Sequence, residues 1–186
     1  MYKFTLTLVI SFLFTFCTYA ESIPKNWSSL EELANNSEPL TILTPHNKTK
    51  YLKDEKLIIG IANTKSGYLN VIAINQQNET TVLFPNKYYK DNKVNAGGFA
   101  LPTIKMGFDF KVQPPYGKSL IVAFLTEHKI NIYEASSGDL DEPAYKQLSS
   151  TEINKFEKSF VVVNKEKIKA KAGKLILITC ETTENC

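Results

Sequence analysis

Residues 83–117 read LFPNKYYKDNKVNAGGFALPTIKMGFDFKVQPPYG, and the fold is decided in this stretch. Pro85 has no N–H to give a ladder, so it ends the strand that arrives at Phe84. Asn86 to Asn92 is a polar loop with paired tyrosines, Tyr88 and Tyr89. Gly97-Gly98 permits backbone angles closed to other residues and predicts a tight turn before a short strand, Phe99 to Leu101. Phe108, Phe110 and Val112 then alternate with Asp109, Lys111 and Gln113, the pattern of a strand with one buried face. Pro114-Pro115-Tyr116-Gly117 turns the chain into Leu120–Leu125, which is apolar on both faces and so is predicted to be central.

The flanks extend the same pattern. Upstream, Leu40–Leu43, Leu57–Ala62, Tyr68–Asn75 and Thr80–Phe84 are short, mostly rich in β-branched residues and separated by polar turns, which predicts antiparallel sheet. Downstream, Ile130–Tyr133, Phe160–Val163, Lys167–Ala170 and Lys174–Thr179 read as strands, and Ser136–Ser150 as a loop. Ser28 with Glu31 three residues on has the capping-box pattern, and Leu30, Leu33 and Ala34 share one face of the short helix it would start. Ser150 or Thr151 is placed to cap a second, through Lys158, with Ile153 and Phe156 facing inward. The expected fold is mainly β, a single antiparallel Ig-like β-sandwich with one or two short helices. It occupies residues 52–186, after a 21–51 extension that carries the first helix.

Composition narrows the partners. Of 186 residues, 43% are hydrophobic and 22% charged, the range of ordinary globular chains. All 22 basic residues are Lys, so bidentate guanidinium contacts to phosphate or guanine are excluded. The net charge of +3 is small, and Lys165, Lys167, Lys169, Lys171 and Lys174 recur near period two, as on the wet face of a strand. Nucleic acid is not an expected partner.

Met1 to Ala20 has the form of an export signal: Lys3, an apolar core from Phe4 to Phe16, and Thr18-Tyr19-Ala20 before the expected cut. The core is short for a bilayer span and no later segment approaches that length. The competing reading is a lipoprotein anchored at Cys17, against which stands the bulky Phe16. After cleavage Cys180 and Cys186 remain, an even count that favours a small C-terminal disulfide in an exported protein. The expected location is periplasmic or secreted, with no transmembrane segment in the mature chain.

Chemistry is sparse. His46 and His128 each stand alone in polar turns, and no G-x-S-x-G, H-E-x-x-H or phosphate-binding glycine loop occurs. Asp139, Asp141 and Glu142 form an acidic loop without the remaining EF-hand ligands, and a solvated loop is the plainer reading. Asp109 and Glu127 are the only pair considered for carboxylate hydrolysis, although Asp109 falls on the wet face of its strand. No catalytic residue, metal ligand or cofactor is expected. Tyr88, Tyr89, Phe99 and Tyr116 gather at one end of the expected sandwich, either as a protein-contact surface or as its plug.

In order, Leu52-Lys53-Asp54-Glu55-Lys56-Leu57, Gly67-Tyr68-Leu69, Leu83-Phe84-Pro85-Asn86, Asp91-Asn92, Val94, Ala96-Gly97, Leu101-Pro102, Pro114-Pro115-Tyr116-Gly117 and Leu120–Phe124 resemble a family of exported bacterial domains of unknown function. That family also occurs appended to kinases and caspase-like proteins. The resemblance implies an immunoglobulin-like or transthyretin-like fold and no catalytic residue; Glu55 stands where the family turn often has Gly. The expected function is a non-enzymatic protein-interaction domain of the bacterial envelope or secretome. A secretion-system accessory or effector of the type VI kind, associated with virulence, is a special case, and its partner would lie in the envelope or in a target cell. The alternatives are a small-ligand or glycan-binding module and a carboxylate-based cell-wall hydrolase.

Overall fold

The computed structural model of the chain describes residues 23–134, 145–160 and 170–186. The expected export signal with Cys17, the acidic group at Asp139, Asp141 and Glu142, residues Val161–Val163 of one expected strand, and Lys165, Lys167 and Lys169 lie outside them.

The fold is built on one long apolar strand. β11, Gly117–Thr126, is buried from Leu120 to Thr126 and pairs antiparallel on one side with β6, Gly67–Asn75, and on the other with β13, Ala170–Cys180. Side chains alternate across a strand, and here both faces are covered. Leu120, Val122 and Phe124 join Ile72 and Ile74 in one core cluster; Ile121, Ala123 and Leu125 join Leu69, Val71 and Leu177 in another. The central position expected for Leu120–Leu125 is therefore correct.

This strand anchors an eight-stranded sheet of order β1-β13-β11-β6-β7-β12, where β1 is Glu38–Pro39, β7 is Thr80–Phe84 and β12 is Lys146–Leu148. β3 (Lys50–Leu52) joins at β13, and β8 (Lys93–Val94) at β6. The first face is covered by helices α1, Lys25–Asn35, and α2, Ser150–Ser159, which bury Trp27, Leu30, Ile153 and Phe156. The second face carries a three-stranded sheet of β2 (Thr41–Leu43), β5 (Ile59–Asn63) and β9 (Gly97–Leu101), and a two-stranded ribbon of β4 (Lys56–Leu57) and β10 (Phe110–Lys111).

Among the described residues the architecture is mainly β with two helices, and it corrects the expected single antiparallel Ig-like sandwich. Three separate sheets are present there, with helices across one face of the largest. β1 and β3 both run parallel to β13, so the large sheet is not purely antiparallel. Residues 25–52 supply α1 and three strands, so the segment read as an extension is built into the same two cores.

Local departures have local causes. Leu57–Ala62 is divided at Ile58, which is exposed while the chain passes from the ribbon to the three-stranded sheet. Gly97-Gly98 begins β9 rather than turning before it. Ile130–Tyr133 is a turn. Its main chain is held by side-chain amides: Asn70 Nδ2 and Asn92 Nδ2 donate to the Ile130 carbonyl at 2.9 and 2.7 Å, and Asn70 Oδ1 accepts the Ile132 N–H at 3.0 Å. α1 starts at Lys25 after extended Pro24, so Ser28 lies inside the helix and Glu31 instead accepts from Trp27 Nε1 and from Lys174 Nζ. α2 has a capping box, with Ser149 as the cap and Glu152 as its partner, one residue before the expected cap. Lys174–Thr179 belongs to the single long strand β13, whose Cys180 is joined to Cys186 by the expected disulfide.

Candidate functional site

The Leu-Phe-Pro-Asn corner positions the candidate surface. Between Val71↔Phe84 and Ile72↔Val82 the β6–β7 register slips by one residue, a β-bulge at Leu83. Strict alternation would put Phe84 on the helix face with Val82. The extra residue turns Phe84 to the opposite face, where it is fully buried against Tyr89 and Phe99, ring centroids 5.4 and 5.0 Å away.

Asn86 then closes the corner. Its Oδ1 accepts the N–H groups of Tyr88 at 3.0 Å and Tyr89 at 3.1 Å, its Nδ2 donates to the Leu83 carbonyl at 3.0 Å, and its main chain bridges to Tyr89. The side chain is fully buried. An amide suits this position because it is donor and acceptor at once. Tyr88 is thereby held outward, 54% exposed, with its ring 5.2 Å from Phe108.

The four aromatics expected at one end have different fates. Tyr89 and Phe99 pack on Phe84 and complete the core, the plugging role; Lys105 Nζ lies 5.4 Å above the Tyr89 ring. Tyr88 is the exposed member. Tyr116 packs half-buried on the second core and, among the described residues, has no ring contact with the other three.

Ile104, Phe108 and Tyr145, which sequence reasoning did not select for a contact surface, complete it. Phe108 and Phe110 meet Tyr145 edge-on at 5.6 and 5.8 Å. Burial pushes the Tyr145 hydroxyl well above its ordinary pKa, and nearby Tyr88 adds to the shift, so it remains a neutral donor. Ile104 stands fully in solvent at the 3₁₀ turn after Pro102, and shares with Phe108 a shallow hollow of about 300 Å³. Phe108 opens the alternating run and was visible as a pattern. Tyr145 arrives through the β7–β12 pairing, which has no signal in the sequence.

Beside this patch lies a cleft of about 670 Å³ between the β4–β10 ribbon and the second face of the large sheet. Its floor is Ala73, Ser119, Ile121 and Leu177, with Tyr145 and Gln147 on one wall and residues 109–115 on the other.

The carboxylate pair considered for hydrolysis is not assembled. Asp109 is paired with Lys56 at 2.6 Å at the cleft rim, and Glu127 lies near Lys65 at 3.9 Å in a separate hollow at the far end of β11. His46 and His128 are exposed. Among the described residues, no three His, Cys, Asp or Glu side chains converge as metal ligands, and no helix is long and apolar enough to cross a membrane.

Residues 50–129 match the profile of a family described as a domain of unknown function (DUF4384). The span contains every motif on which the sequence resemblance rests, from Leu52 to Phe124. No curated protein matches the chain, and no solved structure does.

Proposed function

We propose that this protein is a non-enzymatic, exported recognition module of the bacterial envelope or secretome, acting through protein contacts at the end of the fold that carries Tyr88, Ile104, Phe108 and Tyr145. The observation that supports this most is Ile104, a large aliphatic side chain wholly in solvent beside a contiguous aromatic group. Isolated exposed apolar residues are ordinary, whereas joined ones rimmed by polar groups mark interaction sites. A secretion-system role of the type VI kind, with virulence as its consequence, is the special case in which the partner belongs to the secretion machine or to a target cell. The second reading, a small-ligand or glycan module, draws on the cleft, whose volume falls in the roughly 300–1,000 Å³ range of ligand sites.

The test is a crosslinked pull-down of tagged, signal-processed protein from its own cells, run beside Ile104→Glu and Tyr88→Ser. A partner recovered with the parent protein and lost with both variants supports the reading. The same recovered set from all three counts against it.

A further inference from the structure

The cleft wall formed by β10 has properties that a ligand pocket does not require and a strand acceptor does. The Val112 N–H donates to the Glu55 carbonyl at 3.0 Å, and its C=O accepts from the Asp54 N–H at 2.9 Å, so the main chain of Val112 points toward β4. Strand geometry then turns the N–H and C=O of Lys111 the other way. Among the described residues nothing pairs with them. Seven consecutive residues, Asp109 to Pro115, border the cleft. Since their side chains alternate, an edge is what presents them all to one space.

Both carboxylates at the cleft, and Gln113, are already engaged: Asp109 is held by Lys56, Glu79 accepts from Asn75 Nδ2 at 2.6 Å, and Gln113 Nε2 donates to Asp54 at 2.7 Å. Thr81, Ser119, Tyr145 and Gln147 also line the cleft. Beside these side chains the outward main chain of Lys111 offers a donor and an acceptor above a floor of Ala73, Ser119, Ile121 and Leu177. That combination complements an extended peptide whose backbone pairs with β10 and whose alternate side chains are small or aliphatic.

We infer that the cleft is a strand-addition site, in which an extended segment of a partner protein pairs along residues 109–113, the stretch that contains β10, and sets every second side chain onto the floor. The proposal rests on the protein-recognition reading and names its chemistry. Five residues of strand span about 17 Å, so the recognised core is about five residues long. Pro114-Pro115, which cannot donate, fixes its end. The patch at Tyr88 and Ile104 adjoins the cleft through Phe108 and Phe110, rings 6.1 Å apart, and would receive whatever follows the inserted strand.

The test is selection of a random heptapeptide library, displayed on phage, against the immobilised full mature protein. Binding of selected peptides is then measured to three variants whose far-UV spectra match the parent. Lys111→Pro removes the outward N–H, Thr81→Trp fills the cleft from β7, and Ile104→Glu alters the adjoining patch alone. The proposal expects peptides with aliphatic residues at period two, weakened at least tenfold by each of the first two variants and little by the third. Peptides lost only with Ile104→Glu would overturn the strand site and keep the recognition surface. No enrichment, or binding indifferent to all three, would overturn the strand site and leave the recognition reading to its own pull-down test.

Discussion

Asn86 is the residue on which the exposed surface depends, and its removal has a calculable cost. Asn86→Ala deletes the bonds to the Tyr88 and Tyr89 N–H groups and to the Leu83 carbonyl, and a longer one to Met106 Sδ at 3.6 Å, inside a fully buried site. A net hydrogen bond is worth about 1 kcal/mol, and a buried group left without its partner costs about 1–3 kcal/mol. Tyr88 is 54% exposed, so water can replace its bond, and the Tyr89 N–H keeps the Asn86 main-chain carbonyl at 3.1 Å; the Leu83 carbonyl is the group that loses its side-chain donor, and a total of about 1–3 kcal/mol follows. Asn86→Asp keeps both acceptor bonds and replaces only the donor to the Leu83 carbonyl. The assay is urea unfolding of parent and variants, read as midpoint at constant slope. A loss below about 0.5 kcal/mol for Asn86→Ala, the size of an ordinary surface change, would refute the reasoning.

Other positions carry independent expectations. Gly173→Ala places a Cβ into the Leu40 carbonyl, where the β1–β2 segment crosses β13, and should cost about 1–3 kcal/mol in urea unfolding; an unchanged midpoint would refute that close approach. Lys48 and the Leu52 N–H, 2.6 and 2.8 Å away, hold Glu55 below its ordinary pKa. Its contribution is therefore full above the unfolded value near 4.3 and lost as pH falls through the lower folded one. Glu55→Gln should flatten the acid limb of stability between about pH 5 and pH 3, and parallel limbs would contradict this. The Cys180–Cys186 bridge spans a sequence separation of 6, for which loop entropy gives about 2 kcal/mol. Cys186→Ser should shift the thermal midpoint accordingly, and a collapse of folding would show a larger role than a terminal clasp.

The fold was legible where residue type and burial agree. Leu120–Leu125 is apolar on both faces and is central; Ile153 and Phe156 were read inward and are buried. Legibility failed where one residue changes face or a polar residue goes inside. The bulge at Leu83 leaves no mark in TTVLF, yet it moves Phe84 to the other core. Asn86 and Asn92, read in a polar loop, and Asn70, read within a strand, are fully buried, because each satisfies main-chain groups of a turn that has no ladder of its own. Parallel pairing of β1 and β3 with β13 involves strands of two and three residues, too short for periodicity to register. At the candidate site, the paired tyrosines marked the loop, but only backbone geometry separates exposed Tyr88 from packed Tyr89. Ile104 carries no pattern, since a single aliphatic residue in a turn looks the same in sequence whether buried or exposed.

The measurement that most directly tests the recognition proposal is site-specific photocrosslinking in the protein's own cells. Benzoylphenylalanine is placed at position 104, or at position 46 in an exposed turn elsewhere, each in the full chain of residues 1–186. The account predicts one discrete adduct with another protein from position 104, absent from position 46 and lost when Tyr88→Ser is added. Equal adducts from both positions, or none from 104 while the protein is exported and folded, would contradict it.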